Sequence, residues 1–319
     1  MLRIVYFGTP DFAVKPFEAL CSAGHEVLAA VTQPDRQSGR GRKMTPCAVK
    51  AAAEAAGIRA VQPVRVRSAE FIAGLKELRP SVIVVAAYGQ ILPADIIHLP
   101  PLGCVNIHAS LLPKYRGAAP INWAVINGDK KTGITMMMMD EGIDTGPVFM
   151  QRETEIRPED TAGTLSQRLS EIGAGLLGPT LQGLERGDLS PVPQAGEASY
   201  APMLKKTDGL IHWSRPASEL HNMIRGMNPW PGAYSFLNGE RTRILMAMPE
   251  DGESGNPGVI STVSRDRLVV HTGRGGLSIL EIQPAGKPVM NVRAYLQGRT
   301  IAAGMIFDSG DESGRAAGA

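Results

Sequence analysis

The chain has 319 residues, enough for two domains that each bury a substantial core. Apolar residues make up 43% and charged residues 20%, and the net charge of only +2 excludes a polycation, so any nucleic-acid surface must come from local clustering. Cys21, Cys47 and Cys104 lie far apart without C-x-x-C spacing, which argues against a zinc knuckle or a disulfide framework and suits reduced thiols in a cytoplasmic protein.

Residues 2–7 read as a buried strand, with Gly8-Thr9-Pro10 turning the chain into a helix over 13–23 that Gly24 stops. A strand over 27–32 completes a right-handed βαβ unit, the start of a doubly wound, mostly parallel sheet. So early a strand leaves no room for a signal or transit peptide. The turn holds one Gly followed by Thr-Pro in place of G-x-G-x-x-G, which argues against a nicotinamide or flavin dinucleotide. Residues 33–44 are polar, with Arg36, Arg40, Arg42 and Lys43 set against Asp35 alone. That segment is longer and more basic than such a connection needs; it fits either a solvated excursion or a phosphate-following loop.

Helices are expected over 46–56 and 68–78, and the fully apolar run 81–87 reads as a strand covered on both faces. The longest apolar run, 82–88, is far too short to cross a bilayer. Tyr88-Gly89-Gln90-Ile91-Leu92-Pro93 leaves the carboxyl end of that strand, where open α/β sheets bind ligands.

Asn106 and His108 stand two apart on a short apolar run, so a strand projects both from one face. An amide beside an imidazole can stabilise a developing oxyanion and move a proton, the two needs of acyl transfer. Asp144 follows the apolar run 134–139 in a Gly-bracketed loop and can orient the imidazole. Taken singly, Asn106 and Asp144 also fit turn or capping residues, and His108 a core histidine.

Beyond this stretch, 119–127 reads as a helix and 133–140 as a strand whose run Met136-Met137-Met138-Met139 needs only core packing. Residues 148–153 read as an antiparallel partner and 161–187 as a long helix. The Pro- and Gly-bearing stretch 190–206 reads as a linker. A helix is expected over 217–227, then short strands at 234–237, 242–248, 258–263, 267–271 and 277–282, a spacing that suggests a small β-barrel. From 206 to 307 eleven basic residues face eight acidic ones, slight support for a nucleic-acid role. Residues 308–319 read as a disordered tail. No His, Cys and carboxylate set has ligand spacing, so no metal is expected.

Asn106-x-His108 followed by Ser110-Leu111-Leu112-Pro113, with Asp144 in Asp140-x-Gly-Ile-Asp144-x-Gly, resembles the folate-dependent formyltransferase family from Val5 to about Phe307. The resemblance implies a Rossmann-like catalytic domain over 1–189, a linker over 190–206 and an OB-like, tRNA-binding barrel over 207–307. It implies 10-formyltetrahydrofolate as formyl donor and Asn106, His108 and Asp144 as catalytic residues. Folate would be bordered by Ser110, Leu111, Leu112, Pro113, Gln90, Ile91, Leu92 and Asp140. The tRNA-directed member carries a basic insertion where Arg36, Arg40, Arg42 and Lys43 stand, so the implied acceptor is the α-amino group of methionine on initiator tRNA. Arg42 corresponds to a tRNA-contacting arginine of that member. A nucleotide-sugar formyltransferase would share the three catalytic residues but lack the Arg-rich loop and the barrel. An RNA-binding protein without activity would need only the loop and barrel.

Overall fold

The structure is a computed structural model that describes residues 1–38, 43–252 and 255–308, with the backbone alone at 37, 38 and 43. It comprises two compact units. The first gathers Met1–Pro120, Lys131–Glu155 and Thr164–Pro202.

Its sheet contains β1 (Arg3–Gly8), β2 (Glu26–Val31), β3 (Ala60–Val61), β4 (Val82–Ala86), β5 (Cys104–His108), β6 (Lys131–Met138) and β7 (Val148–Glu155) in the order β7-β6-β5-β4-β1-β2-β3. Five neighbouring strands from β3 to β5 run parallel, whereas β6 and β7 each pair antiparallel. The order reverses between β1 and β4, and ligands of such sheets bind beyond the carboxyl ends at that reversal. Both faces are buried, as the continuous apolar runs require. Tyr6 packs on Phe17 of the helix Val14–Ser22, with ring centroids 5.3 Å apart. On the opposite side Phe7 meets Phe71 and Tyr88 edge-on, in a core with Val5, Ile83, Val85 and Cys104. Gly8 lets the chain turn at once toward that helix, because a Cβ there would stand 2.8 Å from Ala13 Cβ.

The expected helices 46–56, 68–78 and 161–187 are found as Ala48–Ala55, Ala69–Glu77 and Ala162–Arg186, the second capped by Ser68 accepting from Phe71 N–H. The basic stretch after β2 differs from a plain loop: Arg36–Ser38 pairs antiparallel with Lys43–Thr45. Its root is fastened. Lys50 Nζ donates to Asp35 Oδ2 at 2.5 Å and to Gln62 Oε1 at 2.9 Å. Gln62 Nε2 in turn donates to Asp35 Oδ1 at 2.7 Å and to the Gln33 carbonyl at 2.8 Å. These bonds, that from Lys50 foremost, hold the Asp35 carboxyl below the usual range.

The second unit gathers Ile121–Lys130, Ile156–Gly163 and the chain from Met203. The two early segments belong to it through polar contacts: Asn122 donates to the Gly226 carbonyl at 2.8 Å, and buried Arg225 donates to the Asp160 carbonyl at 2.7 Å. The helix Ala217–Gly226 buries Leu220, Met223 and Ile224. Its antiparallel sheet holds β8 (Tyr234–Leu237), β9 (Glu240–Glu250), β10 (Ile260–Val263), β11 (Leu268–His271), β12 (Gly276–Pro284), β13 (Met290–Asn291) and β14 (Phe307–Asp308). The order is β10-β11-β12-β9-β8-β14, with β13 on β12. The two edges meet: Ile260 N–H donates to Met305 O at 2.8 Å, Gly304 N–H to Ile260 O at 2.9 Å and Phe307 N–H to Gly258 O at 2.8 Å. The sheet therefore curls into the expected small barrel.

Candidate active site

β5 and β6 place the reacting groups. Asn106 and His108 project from one face of β5 at its carboxyl end and are nearly enclosed, 9% and 5% exposed. Asp144 reaches both: Asn106 Nδ2 donates to Asp144 Oδ1 at 3.3 Å, and His108 Nδ1 lies 3.5 Å from the same oxygen. The other oxygen, Oδ2, accepts from Gly117 N–H at 2.8 Å.

The Asp144 loop is shaped for this position. Asp144 itself has a left-handed backbone, φ 52°. Gly146 admits no side chain, since a Cβ would stand 1.9 Å from the Met138 carbonyl oxygen. Asp140 Oδ1 holds the turn by accepting from Gly142 N–H at 3.1 Å and from Thr145 Oγ1 at 2.7 Å.

His108 Nε2 lies 3.0 Å from the Tyr115 carbonyl oxygen, which only accepts, so that nitrogen carries a proton. The neutral ring then presents the Nδ1 lone pair toward Asp144. At 3.5 Å, this pair is longer than an ordinary hydrogen bond, and Nδ1 is available to take up a proton. Burial pushes the imidazole below its usual 6.5, opposed by the charge of Asp144 and the Tyr115 carbonyl. An unprotonated base beside a carboxylate and an amide donor can receive a proton while the amide meets developing negative charge. Cys104, by contrast, donates weakly to the Ile96 and Ile97 carbonyls, and burial pushes its thiol up to about 12. It is an inert packing residue.

Among the residues expected to border folate, Ser110 spends its hydroxyl on the Lys114 carbonyl at 2.6 Å. Thr135 Oγ1 donates to Ser110 O at 2.6 Å and accepts from Leu112 N–H at 3.1 Å, and Gln151 Nε2 donates to Leu112 O at 2.8 Å and to Thr135 Oγ1 at 3.0 Å. The segment through Leu111 and Pro113 is thus fixed from beneath by two side chains that the motif itself does not contain. In the other loop, Gln90 Oε1 accepts from Val66 N–H at 3.1 Å, Leu92 is buried in the core and Ile91 is exposed.

Arg36 is exposed where the basic hairpin begins. Arg40 and Arg42 lie outside the described residues, as does the side chain of Lys43. Tyr115, Gly117, Thr135 and Gln151 have no role assigned from the sequence; Tyr115 and Gly117 stand in the Tyr115-Arg116-Gly117 run that follows the motif, whereas Thr135 and Gln151 carry no signal of their own.

Residues 2–179 match the formyl transferase family model, and residues 203–300 match the model of the formyl transferase C-terminal domain. The methionyl-tRNA formyltransferase of Pelotomaculum thermopropionicum is 50% identical over 308 residues, 96% of this chain and 98% of that one. That of Desulfotalea psychrophila is 49% identical over 310 residues, 96% and 95% of the two chains. The chain belongs to the methionyl-tRNA formyltransferase family. A crystal structure of HypX from Aquifex aeolicus in complex with tetrahydrofolic acid overlays with a TM-score of 0.65 at 18% identity, over 93% of this chain and 47% of that one. At that identity the likeness is one of fold. Like other formyl transferases the chain is an enzyme, and its family uses formyltetrahydrofolate. Among the described residues no helix is long and apolar enough to cross a membrane, and no group of three His, Cys, Asp or Glu side chains is placed to hold a metal ion.

Proposed function

We propose that this methionyl-tRNA formyltransferase family member transfers the formyl group of 10-formyltetrahydrofolate to the α-amino group of methionine on initiator tRNA, in the cytoplasm, in support of translation initiation. The amine lone pair attacks the formyl carbon and the carbonyl electrons move onto oxygen. Collapse of that intermediate breaks the bond to N10 of the folate, so no covalent enzyme intermediate forms. Asn106 donates to the oxygen as it gains charge. His108 Nδ1 takes the proton released by the attacking nitrogen and returns it toward N10, and while the ring is protonated its Nδ1–H donates to Asp144, which fixes its orientation. The meeting of Asn106, His108 and Asp144 within 3.5 Å is the observation that carries this reading.

In this reading residues 1–189 form the catalytic domain, 190–206 the linker and 207–307 a tRNA-binding barrel. Folate lies against Ser110–Pro113, Gln90–Leu92 and Asp140, with Arg36, Arg40, Arg42 and Lys43 following tRNA phosphates. The test combines product and binding. With 10-formyltetrahydrofolate and charged initiator tRNA the protein should yield formylmethionine. Arg42→Ala should reduce the salt dependence of tRNA binding by about one unit, the loss of one phosphate contact, while folate affinity is unchanged. An unchanged salt slope and affinity would remove the loop from the tRNA surface, and no formylmethionine would overturn the function.

A further inference from the structure

Residues 192–201 follow the long helix of the first unit and are largely exposed, including Val192, Pro193, Ala195, Gly196, Glu197 and Tyr200. Gln194 alone among its immediate neighbours turns inward. Its Nε2 donates to two carbonyls of the Asp144 loop, Asp144 O at 2.8 Å and Gly146 O at 2.8 Å. Its Oε1 accepts from Arg116 Nε at 3.1 Å and Nη2 at 2.6 Å. One amide thus ties the backbone bearing the carboxylate to the residue lying between Tyr115, which accepts from His108, and Gly117, which donates to Asp144.

The segment around Gln194 is itself anchored to the same two loops. Val192 and Val148 exchange backbone hydrogen bonds of 2.7 and 2.8 Å just beyond Gly146. Ser199 accepts from Tyr115 N–H through its hydroxyl at 2.9 Å and from Arg116 N–H through its carbonyl at 2.8 Å. Tyr200 and Ala201 then run parallel beside Arg116 and Gly117.

We propose that Gln194 is a positioning residue for catalysis: it holds the Asp144 loop and the Tyr115–Gly117 turn in register, and so sets Asp144 against His108 and Asn106. This rests on the catalytic reading of Asp144 given above. Two facts make the side chain more than a spacer. The left-handed backbone of Asp144 is disfavoured by about 1–2 kcal/mol and persists only where neighbours impose it. The carboxylate also meets His108 Nδ1 at the outer margin of useful distance, 3.5 Å, so even a small drift separates the pair. Misplacement of a catalytic group by about 1 Å can lower turnover by about a hundredfold.

The test is a double-mutant cycle with formyl transfer to charged tRNA under single-turnover conditions. Gln194→Met keeps the length of the side chain and removes every hydrogen bond; Gln194→Glu keeps the acceptor for Arg116 and removes the donor to both carbonyls. Each should lower the transfer rate by about ten- to a hundredfold, measured well below the Tm of the variant, with tetrahydrofolate affinity near wild type. In an Asp144→Ala background neither should lower it by more than about twofold, because there is no carboxylate left to position. A purely structural role would impose the same factor in both backgrounds, and that result overturns the proposal, as does full activity of both Gln194 variants. Should Gln194→Met not fold, Gln194→Glu alone decides by the same criterion. An active Asp144→Ala single variant overturns the catalytic reading and this inference with it. An inactive Asp144→Ala beside fully active Gln194 variants overturns this inference alone.

Discussion

Thr135→Val tests how far the segment after the Asn-x-His pair depends on one hydroxyl. Valine has nearly the shape of threonine, so the change removes hydrogen bonds with little change in packing. Three are lost: the bond to Ser110 O at 2.6 Å, that from Leu112 N–H at 3.1 Å and that from Gln151 Nε2 at 3.0 Å. Thr135, Ser110 and Leu112 are all buried, so water cannot take over the vacated Ser110 carbonyl and Leu112 N–H. At about 1 kcal/mol net for each bond, the expected loss is about 3 kcal/mol. For a unit of this size that corresponds to a fall in Tm of about 6–12 °C. Gln151 retains the Leu112 carbonyl at 2.8 Å, so the segment should loosen rather than collapse. Tetrahydrofolate affinity, read by calorimetry, should fall together with stability, and Thr135→Ser should retain most of both. A Thr135→Val protein that melts within about 1 °C of wild type, with unchanged affinity, would refute the reasoning, since a shift that small leaves no room for three buried bonds.

Asn106→Ala should lower kcat by about 10²–10³ in a formylation assay while leaving tRNA affinity, measured by filter binding, near wild type, as for a donor that acts on the developing oxyanion. The acid limb of kcat should lie below pH 6.5: burial lowers the His108 pKa, so the ring stays unprotonated and able to accept a proton to lower pH than a free imidazole, and a stopped-flow pH series reads the limb directly. Gly146→Ala should depress kcat much more than it changes tRNA binding, because its Cβ would meet the Met138 carbonyl at 1.9 Å and push the Asp144 loop aside; a fully active variant would contradict that geometry.

Much of this architecture was readable because periodicity and burial agree. Residues 4–7 and 82–86 are apolar throughout and form adjoining parallel strands buried on both faces. The spacing of two between Asn106 and His108 put both on one face of β5 for the same reason. What escaped notice is held from outside. Ala60–Val61 and Tyr200–Ala201 are two residues long, too short for any period, and are strands only because Ala30–Val31 and Arg116–Gly117 offer them partners. The pairing of 36–38 with 43–45 was hidden by a polar composition that reads equally as loop. Gln194 was invisible for a different reason: it sits in a Pro- and Gly-bearing stretch, and its partners Asp144 and Arg116 are remote in sequence.

The closure of the second sheet through Gly258, Ile260, Gly304, Met305 and Phe307 limits how the barrel can be recognised. An open sheet offers a row of unpaired amides and carbonyls along each border, onto which an extended peptide or a second copy can add as another strand. Here the segment Gly304–Phe307 satisfies the β10 border, while Phe307–Asp308 lies against Phe236 and Leu237 of β8. Strand addition at this seam is thereby closed off, and a partner meeting the barrel there must be read by side chains. The same seam becomes a liability if the chain is cut after residue 303. Removing one short segment would uncover both borders together, and the product should self-associate through them.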